Sequence, residues 1–261
     1  MEVVQKLKYF ISKKEFKSQS IDLIFKKAKN KEEAGDNKFI QIPNSVTSIE
    51  NWSFENCNSL ICNSLTCNSL TCITIPFSVT SIGIGAFYNC NSLTSITIPN
   101  SVTFLGNCAF SNCNSLTSIT LPNSELEIGD KAFEYCNSLT SVTIPNSVTC
   151  IGFGAFYNCN HLKSITIPDS VTIIGEDAFR NCNSLTCISI PNSVISIGLW
   201  GFANCSSLAS ITIPNSVKSI GYYSFYRCNS LNFISIPKKF EKYKNEIFKY
   251  VDLSKVKITY I

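Results

Sequence analysis

The sequence predicts a β-rich solenoid of short stacked coils, and three columns of residues predict it. All nine prolines form one series, Pro43, Pro76, Pro99, Pro122, Pro145, Pro168, Pro191, Pro214 and Pro237, with one gap of 33 residues and seven of 23. A phenylalanine column (Phe54, Phe87, Phe110, Phe133, Phe156, Phe179, Phe202, Phe225) follows the same steps. A cysteine column (Cys67, Cys90, Cys113, Cys136, Cys159, Cys182, Cys205, Cys228) keeps the 23-residue step throughout. A unit this short cannot bury its own apolar side chains, whereas copies stacked on one another share a continuous core.

Each part of the unit has a structural task, as residues 93–115 illustrate. Ser95-Ile96-Thr97-Ile98 alternates at the period of a strand, placing Ile96 and Ile98 inward and Ser95 and Thr97 outward. Pro99 ends that strand, Pro-Asn-Ser turns the chain, and Val102-Thr-Phe-Leu-Gly106 alternates again as a second short strand. Ala109-Phe110-x-x-Cys113 has the spacing of a single helical or 3₁₀ turn that directs Phe and Cys inward. The long first gap is explained by a pentapeptide written three times, Cys57-Asn-Ser-Leu-Ile-Cys62-Asn-Ser-Leu-Thr-Cys67-Asn-Ser-Leu-Thr-Cys72, a ten-residue insertion within 57–72.

A solenoid exposes core and strand edges at both ends, so each end needs a cap. Residues 1–38 carry Val3, Val4, Leu7, Phe10, Ile11, Ile21, Ile24, Phe25 and Ala28 at helical spacing, the pattern of a helical N-terminal cap. Residues 39–237 are the solenoid, about nine coils. In the C-terminal cap, 238–261, the stretch from Phe240 to Tyr250 reads as an amphipathic helix and Val256-Lys-Ile-Thr-Tyr-Ile as a last strand.

Charge follows this division. Residues 1–42 hold ten Lys against six acidic residues, 238–261 hold seven Lys against three, and the stretch between holds five basic residues against nine acidic. The body thus lacks the basic stripe of a nucleic-acid binder. Weak peripheral contact of the basic ends with an anionic membrane is the alternative to a pure capping role. No run of 18 apolar residues is present, and the start lacks the pattern of a signal peptide, which predicts a cytoplasmic protein.

The unit Leu-x-x-Ile-x-Ile-Pro-x-Ser-Val-x-x-Ile-Gly-x-x-Ala-Phe-x-x-Cys-x-Ser resembles the BspA-type leucine-rich repeat of surface antigens from bacteria and anaerobic protists. The resemblance covers about residues 40–237. It implies a leucine-rich repeat solenoid, a curved β-rich α/β horseshoe with its parallel sheet on the concave side. It further implies binding or adhesion rather than catalysis, and a possible cell-surface location.

Catalytic chemistry finds little support in the residues, and no cofactor is expected. His161 occupies a turn column filled elsewhere by Ser92, Ser115, Ser138 and Ser184, which reads as substitution drift. The cysteines at 57, 62, 67 and 72 lack the paired Cys-x2-Cys spacing of structural zinc. The column Cys90, Cys113, Cys136, Cys159, Cys182, Cys205 and Cys228 reads as core packing, with disulfides between neighbouring coils geometrically allowed but disfavoured in a reducing compartment. Cys108 and Cys150 stand off the column and are the expected reactive thiols. Asn51-Trp-Ser53 and Asn204-Cys-Ser206 are sequons, occupied only on a secretory route.

Two surfaces are candidates for recognition of an unidentified protein or glycan partner. One is the outward threonine column Thr97, Thr120, Thr143 and Thr166, for which good strand propensity is the plainer explanation. The other comprises aromatics and arginines at positions that vary between units: Tyr88, Tyr157 and Tyr226 in one column, and Trp200, Tyr222 and Tyr223 beside Arg180 and Arg227. Aromatic residues with Arg are the usual anchors of an interface.

Overall fold

The computed structural model describes residues 39–42, 44–56 and 72–261, so the expected helical N-terminal cap and the repeated pentapeptide lie outside the described residues. Within them the chain winds as a parallel β-solenoid. In most coils a three-residue strand such as Ser95–Thr97 and a two-residue strand such as Phe104–Leu105 form two faces. Every strand pair is parallel and in register, Ile96 against Ile119 and Leu105 against Ile128 for example. At the first junction Phe39 pairs with Cys72, so the ten additional residues leave the register of the stack undisturbed.

The core is built from side chains that meet their own copies. Ile96 and Ile98 are buried and Thr97 exposed, as alternation requires. From Phe54 to Phe248 the rings stack with centroids 5.0–5.8 Å apart and planes within 18° of parallel. Those separations are those of offset stacking. Phe248 extends the column beyond the last Ala-Phe-x-x-Cys block: Phe225 N donates to Ile247 O (3.0 Å) and Arg227 N to Lys249 O (3.1 Å).

Polar repeats satisfy the backbone between coils. In Pro-x-Ser-Val, Val102 N donates to Pro99 O (3.0 Å) to close the turn, and Ser101 Oγ donates to Val79 O of the preceding coil (2.6 Å). The Asn after the ladder Cys forms an amide ladder from Asn91 to Asn183, Asn114 Nδ2 donating to Asn91 Oδ1 (2.7 Å) and Asn137 Nδ2 to Asn114 Oδ1 (2.8 Å). The ladder thiols are also engaged: Cys113 Sγ donates to Phe87 O (3.1 Å) and Cys136 Sγ to Phe110 O (3.2 Å).

The third face corrects the expectation of a helical or 3₁₀ turn in each coil. Three overlapping tight turns run through residues 83–90, closed by Ala86 N to Gly83 O, Tyr88 N to Gly85 O and Cys90 N to Phe87 O. Between them Gly85, Phe87 and Asn89 send their N–H groups forward to Asn107, Ala109 and Ser111 of the next coil. Left-handed residues, Gly85 (φ 58°) and Asn89 (φ 59°), produce the alternation. A continuous helical turn would keep its N–H groups within the coil and leave neighbouring coils unbonded on this face. Gly and Asn are the residues that adopt φ > 0 most readily.

Three strand interruptions mark the stack. The second sheet breaks between Glu127–Ile128 and Cys150–Ile151. In the coil before the break the buried Val gives way to Glu125, which is exposed, while Leu126 takes the buried place and its N–H bonds to Ser124 O (2.7 Å). The first sheet breaks after Ser118–Thr120 and again after Ser164–Thr166, where the adjacent Thr140 N–Thr117 O and Thr186 N–Lys163 O bonds lengthen to 3.4 Å.

In the C-terminal segment the stretch read as an amphipathic helix is a 3₁₀ segment, Lys238–Tyr243, followed by one α-helical turn, Lys244–Ile247. Lys257–Tyr260 then pairs in parallel with Phe233–Ile236. Among the described residues no helix is long and apolar enough to cross a membrane.

Candidate functional site

The turn face gathers most of the variable aromatics into one edge. Its left-handed positions are occupied in successive coils by Gly85, Cys108, Lys131, Gly154, Asp177, Trp200 and Tyr223, all with φ between 54° and 60°. Three residues on lies the column Tyr88, Ser111, Glu134, Tyr157, Arg180, Ala203 and Tyr226. Because the backbone of this face is held by bonds between coils, side chains in the two columns meet along the solenoid axis.

Trp200 is the centre. Its ring lies 4.8 Å from Tyr223 and 5.0 Å from Tyr226. Arg180 places its guanidinium 4.8 Å from the Trp200 ring and 5.8 Å from Tyr157, held by a 3.1 Å ion pair with Asp177. Its Nε is buried without a hydrogen-bond partner. Tyr222 is exposed and 6.5 Å from Tyr223. Arg227 lies over Tyr226 (5.1 Å) and Tyr250 (5.7 Å), and Lys249 over Tyr223 (5.1 Å).

Seven of the eight expected aromatic and arginine residues thus share one edge: Tyr157, Arg180, Trp200, Tyr222, Tyr223, Tyr226 and Arg227. Tyr88 stands apart, against Trp52 at 5.7 Å. The sequence reading missed Tyr250, Lys249 and Tyr135. Tyr135 and Tyr250 sit where Asn89, Asn112, Asn158, Asn181 and Asn204 stand in other coils, and Tyr250 follows Arg227 by one repeat. The same step carried past Pro237 locates both Phe248 and Tyr250.

At the other end of this edge the turn face carries a shallow groove of 270 Å³ over Gly154, lined by Lys131, Glu134, Tyr135, Phe153, Tyr157, Asp177 and Arg180. Lys131 pairs with Glu134 at 3.1 Å and lies 5.2 Å from the Phe153 ring. Burial opposes the charge of Lys131, but the Glu134 carboxylate outweighs it and the lysine's pKa is raised. Tyr135, edge-on to Tyr157 at 5.4 Å, has its hydroxyl pKa raised by burial and by Tyr157. Near neutral pH the lysine is therefore charged and this phenol protonated.

The threonines occupy a different face. Thr97 pairs with Thr120 and Thr143 with Thr166, all exposed, but the ladder is interrupted between Thr120 and Thr143. The hydroxyl grid is therefore two short patches rather than one lattice.

A model of the BspA type leucine rich repeat region matches the chain over residues 32–66, 62–182 and 151–260, in six copies. The chain belongs to the BspA-type leucine-rich repeat family. Among solved structures, a leucine-rich repeat protein from Bacteroides ovatus is similar at 29% identity and a TM-score of 0.58, over 86% of this chain. The chain spans 66% of that protein, just under two thirds of its length. The leucine rich repeat protein of T. pallidum is similar at 29% identity and a TM-score of 0.57, over 69% of this chain and 79% of its own. No curated protein matches the chain.

As a BspA-type repeat, the chain uses its cysteine column for packing. Cys90, Cys113, Cys136, Cys159, Cys182, Cys205 and Cys228 are fully buried. Burial also raises the pKa of Cys108 and of Cys150, Glu134 adding to it at Cys108 and Asp130 at Cys150. Cys150 is exposed and Cys108 partly so, which leaves both more accessible than the column thiols, but neither has the depressed pKa of an activated thiol. His161 Nδ1 lies 2.7 Å from Asn137 O of the preceding coil. Asn204 Nδ2, the atom a glycan would occupy, donates to Asn181 Oδ1 (2.7 Å), whereas Asn51 uses its Oδ1, which a glycan leaves free, to accept from Ile84 N (2.7 Å). Among the described residues no three His, Cys, Asp or Glu side chains converge as a metal site requires.

Proposed function

We propose that this chain is a non-catalytic interaction module that grips a protein partner through the aromatic edge of its turn face, with Trp200, Tyr222, Tyr223 and Tyr226 as anchors and Arg180 and Arg227 beside them. One observation carries the reading. Trp200 (φ 59°) and Tyr223 (φ 60°) stand in a left-handed column that accepts glycine at Gly85 and Gly154. A bulky residue in that conformation costs roughly 1–2 kcal/mol, so stability alone does not favour Trp and Tyr there. Rings held rigidly by the stack lose little entropy on binding.

The test is capture of the partner by the wild type and by a variant carrying Trp200→Gly, Tyr223→Gly and Tyr226→Ala. Glycine suits the left-handed backbone, so a thermal midpoint close to wild type with capture lost is the expected outcome. Unchanged capture would remove this edge as the binding site.

A second reading is a cell-surface adhesin making multivalent attachments, favoured by the two exposed threonine pairs, Thr97 with Thr120 and Thr143 with Thr166. Labelling intact cells with an impermeant reagent tests the location this reading needs. A chain that stays unlabelled while known surface proteins are labelled overturns it.

A further inference from the structure

The groove over Gly154 has walls of an unusual composition. At the equivalent Gly85, the ring of Trp52 covers the glycine so closely that a Cβ would collide with it. Over Gly154 an added Cβ would meet only the Lys131 stem, at 3.2 Å, and Tyr157 Cβ, at 3.7 Å. The glycine therefore leaves a notch in the ridge of the turn face, and this notch is the 270 Å³ groove.

Two ion pairs flank it, Lys131 with Glu134 in the preceding coil and Arg180 with Asp177 in the following one, each at 3.1 Å. Their four charges cancel. An anion entering the groove would meet Glu134 and Asp177, and a cation would meet Lys131 and Arg180. A wholly apolar ligand would strip water from all four without replacing it. What suits such walls is an uncharged molecule dense in hydroxyls, since each hydroxyl both donates and accepts. The Phe153 ring, 39% exposed, and the half-buried Tyr157 ring add apolar surface for a C–H face. The volume lies below the range of about 300–1,000 Å³ that holds drug-sized ligands, which fits one ring.

We propose that the Gly154 groove binds a single neutral hexose ring of a glycan, with Lys131, Glu134, Asp177 and Arg180 bonding its hydroxyls and Phe153 or Tyr157 packing on its face. This site shares Arg180 with the C-terminal edge but rests on its own walls around Gly154, and the variants at Gly154 and Tyr157 leave the Trp200, Tyr223 and Tyr226 anchors unchanged.

The test is titration of the full chain, followed by NMR, with methyl glucoside, methyl galactoside and methyl mannoside, alongside glucuronic acid and glucosamine as charged counterparts. At least one neutral glycoside binds with a Kd on the order of millimolar, about tenfold or more tighter than either charged sugar. Gly154→Asn fills the notch with a residue tolerant of the left-handed backbone and weakens that binding by about tenfold or more. Tyr157→Ala gives the same loss should the Asn variant fail to fold. Absence of binding by all three glycosides, preference for a charged sugar, or binding indifferent to the variants overturns the proposal.

Discussion

The guanidinium of Arg180 lies 4.8 Å from the ring of Trp200, the side chain of one coil resting on the aromatic of the next. The contact joins the charged groove to the aromatic edge and depends on a planar cation. In a double-mutant cycle with Arg180→Ala and Trp200→Ala, read by urea denaturation, the coupling should be about 0.5–2 kcal/mol. Arg180→Lys should lose most of it, since an ammonium cannot stack. Additive single effects would show that the two groups are neighbours without interaction.

The left-handed backbone at Trp200 predicts an inverted order of stabilities. Trp200→Ala removes the ring but keeps a Cβ at φ 59°, whereas Trp200→Gly removes both. The Gly variant should therefore be the more stable by about 1 kcal/mol, the reverse of the usual ranking inside regular structure. Thermal midpoints of the two variants decide the matter, and an Ala variant that melts higher would contradict the backbone assignment.

The buried thiols predict loss of stability in alkali. Burial raises the pKa of Cys113, Cys136, Cys159, Cys182 and Cys205, and that of Cys228 to about 12. An unfolded thiol ionises near pH 8.5, at about its unperturbed pKa. Above that pH the unfolded chain releases protons that the folded chain retains. The stability these thiols contribute is thus intact below about pH 8.5 and falls as pH rises toward the folded values, by about 1.4 kcal/mol per thiol per pH unit. Urea midpoints at pH 7 and pH 10 measure the fall, and Cys136→Ala should make it shallower. An identical pH response in wild type and variant would exclude the thiols as its source.

The glycine that closes the second strand is required by proximity. A Cβ on Gly106 would stand 2.6 Å from Gly83 C and from Ile84 N of the preceding coil. Since those atoms are backbone, the coils must separate to admit it, and Gly106→Ala should cost about 2–3 kcal/mol in chemical denaturation. A cost within experimental error would mean that the coils slide apart freely.

The sequence alone determined the period, the two strands and the identity of the stacked columns. Copies that lean on one another need the same residue at the same place, so the 23-residue spacing of Phe110, Phe133 and Phe156 is itself a statement of contact. Only the tertiary structure decided the turn face. Periodicity records which residues stack and carries no dihedral angles, so the left-handed turns at Gly85 and Asn89 were hidden behind a spacing that also suits a helical turn. It likewise located Phe248 and Tyr250, whose coil keeps Pro237 but has lost the Asn-Ser-Val, Gly and Ala-Phe-x-x-Cys blocks. The groove was the least visible feature, because it arises from a side chain missing at Gly154 between ion pairs contributed by two other coils. An absence acquires a shape only when its neighbours have been placed around it.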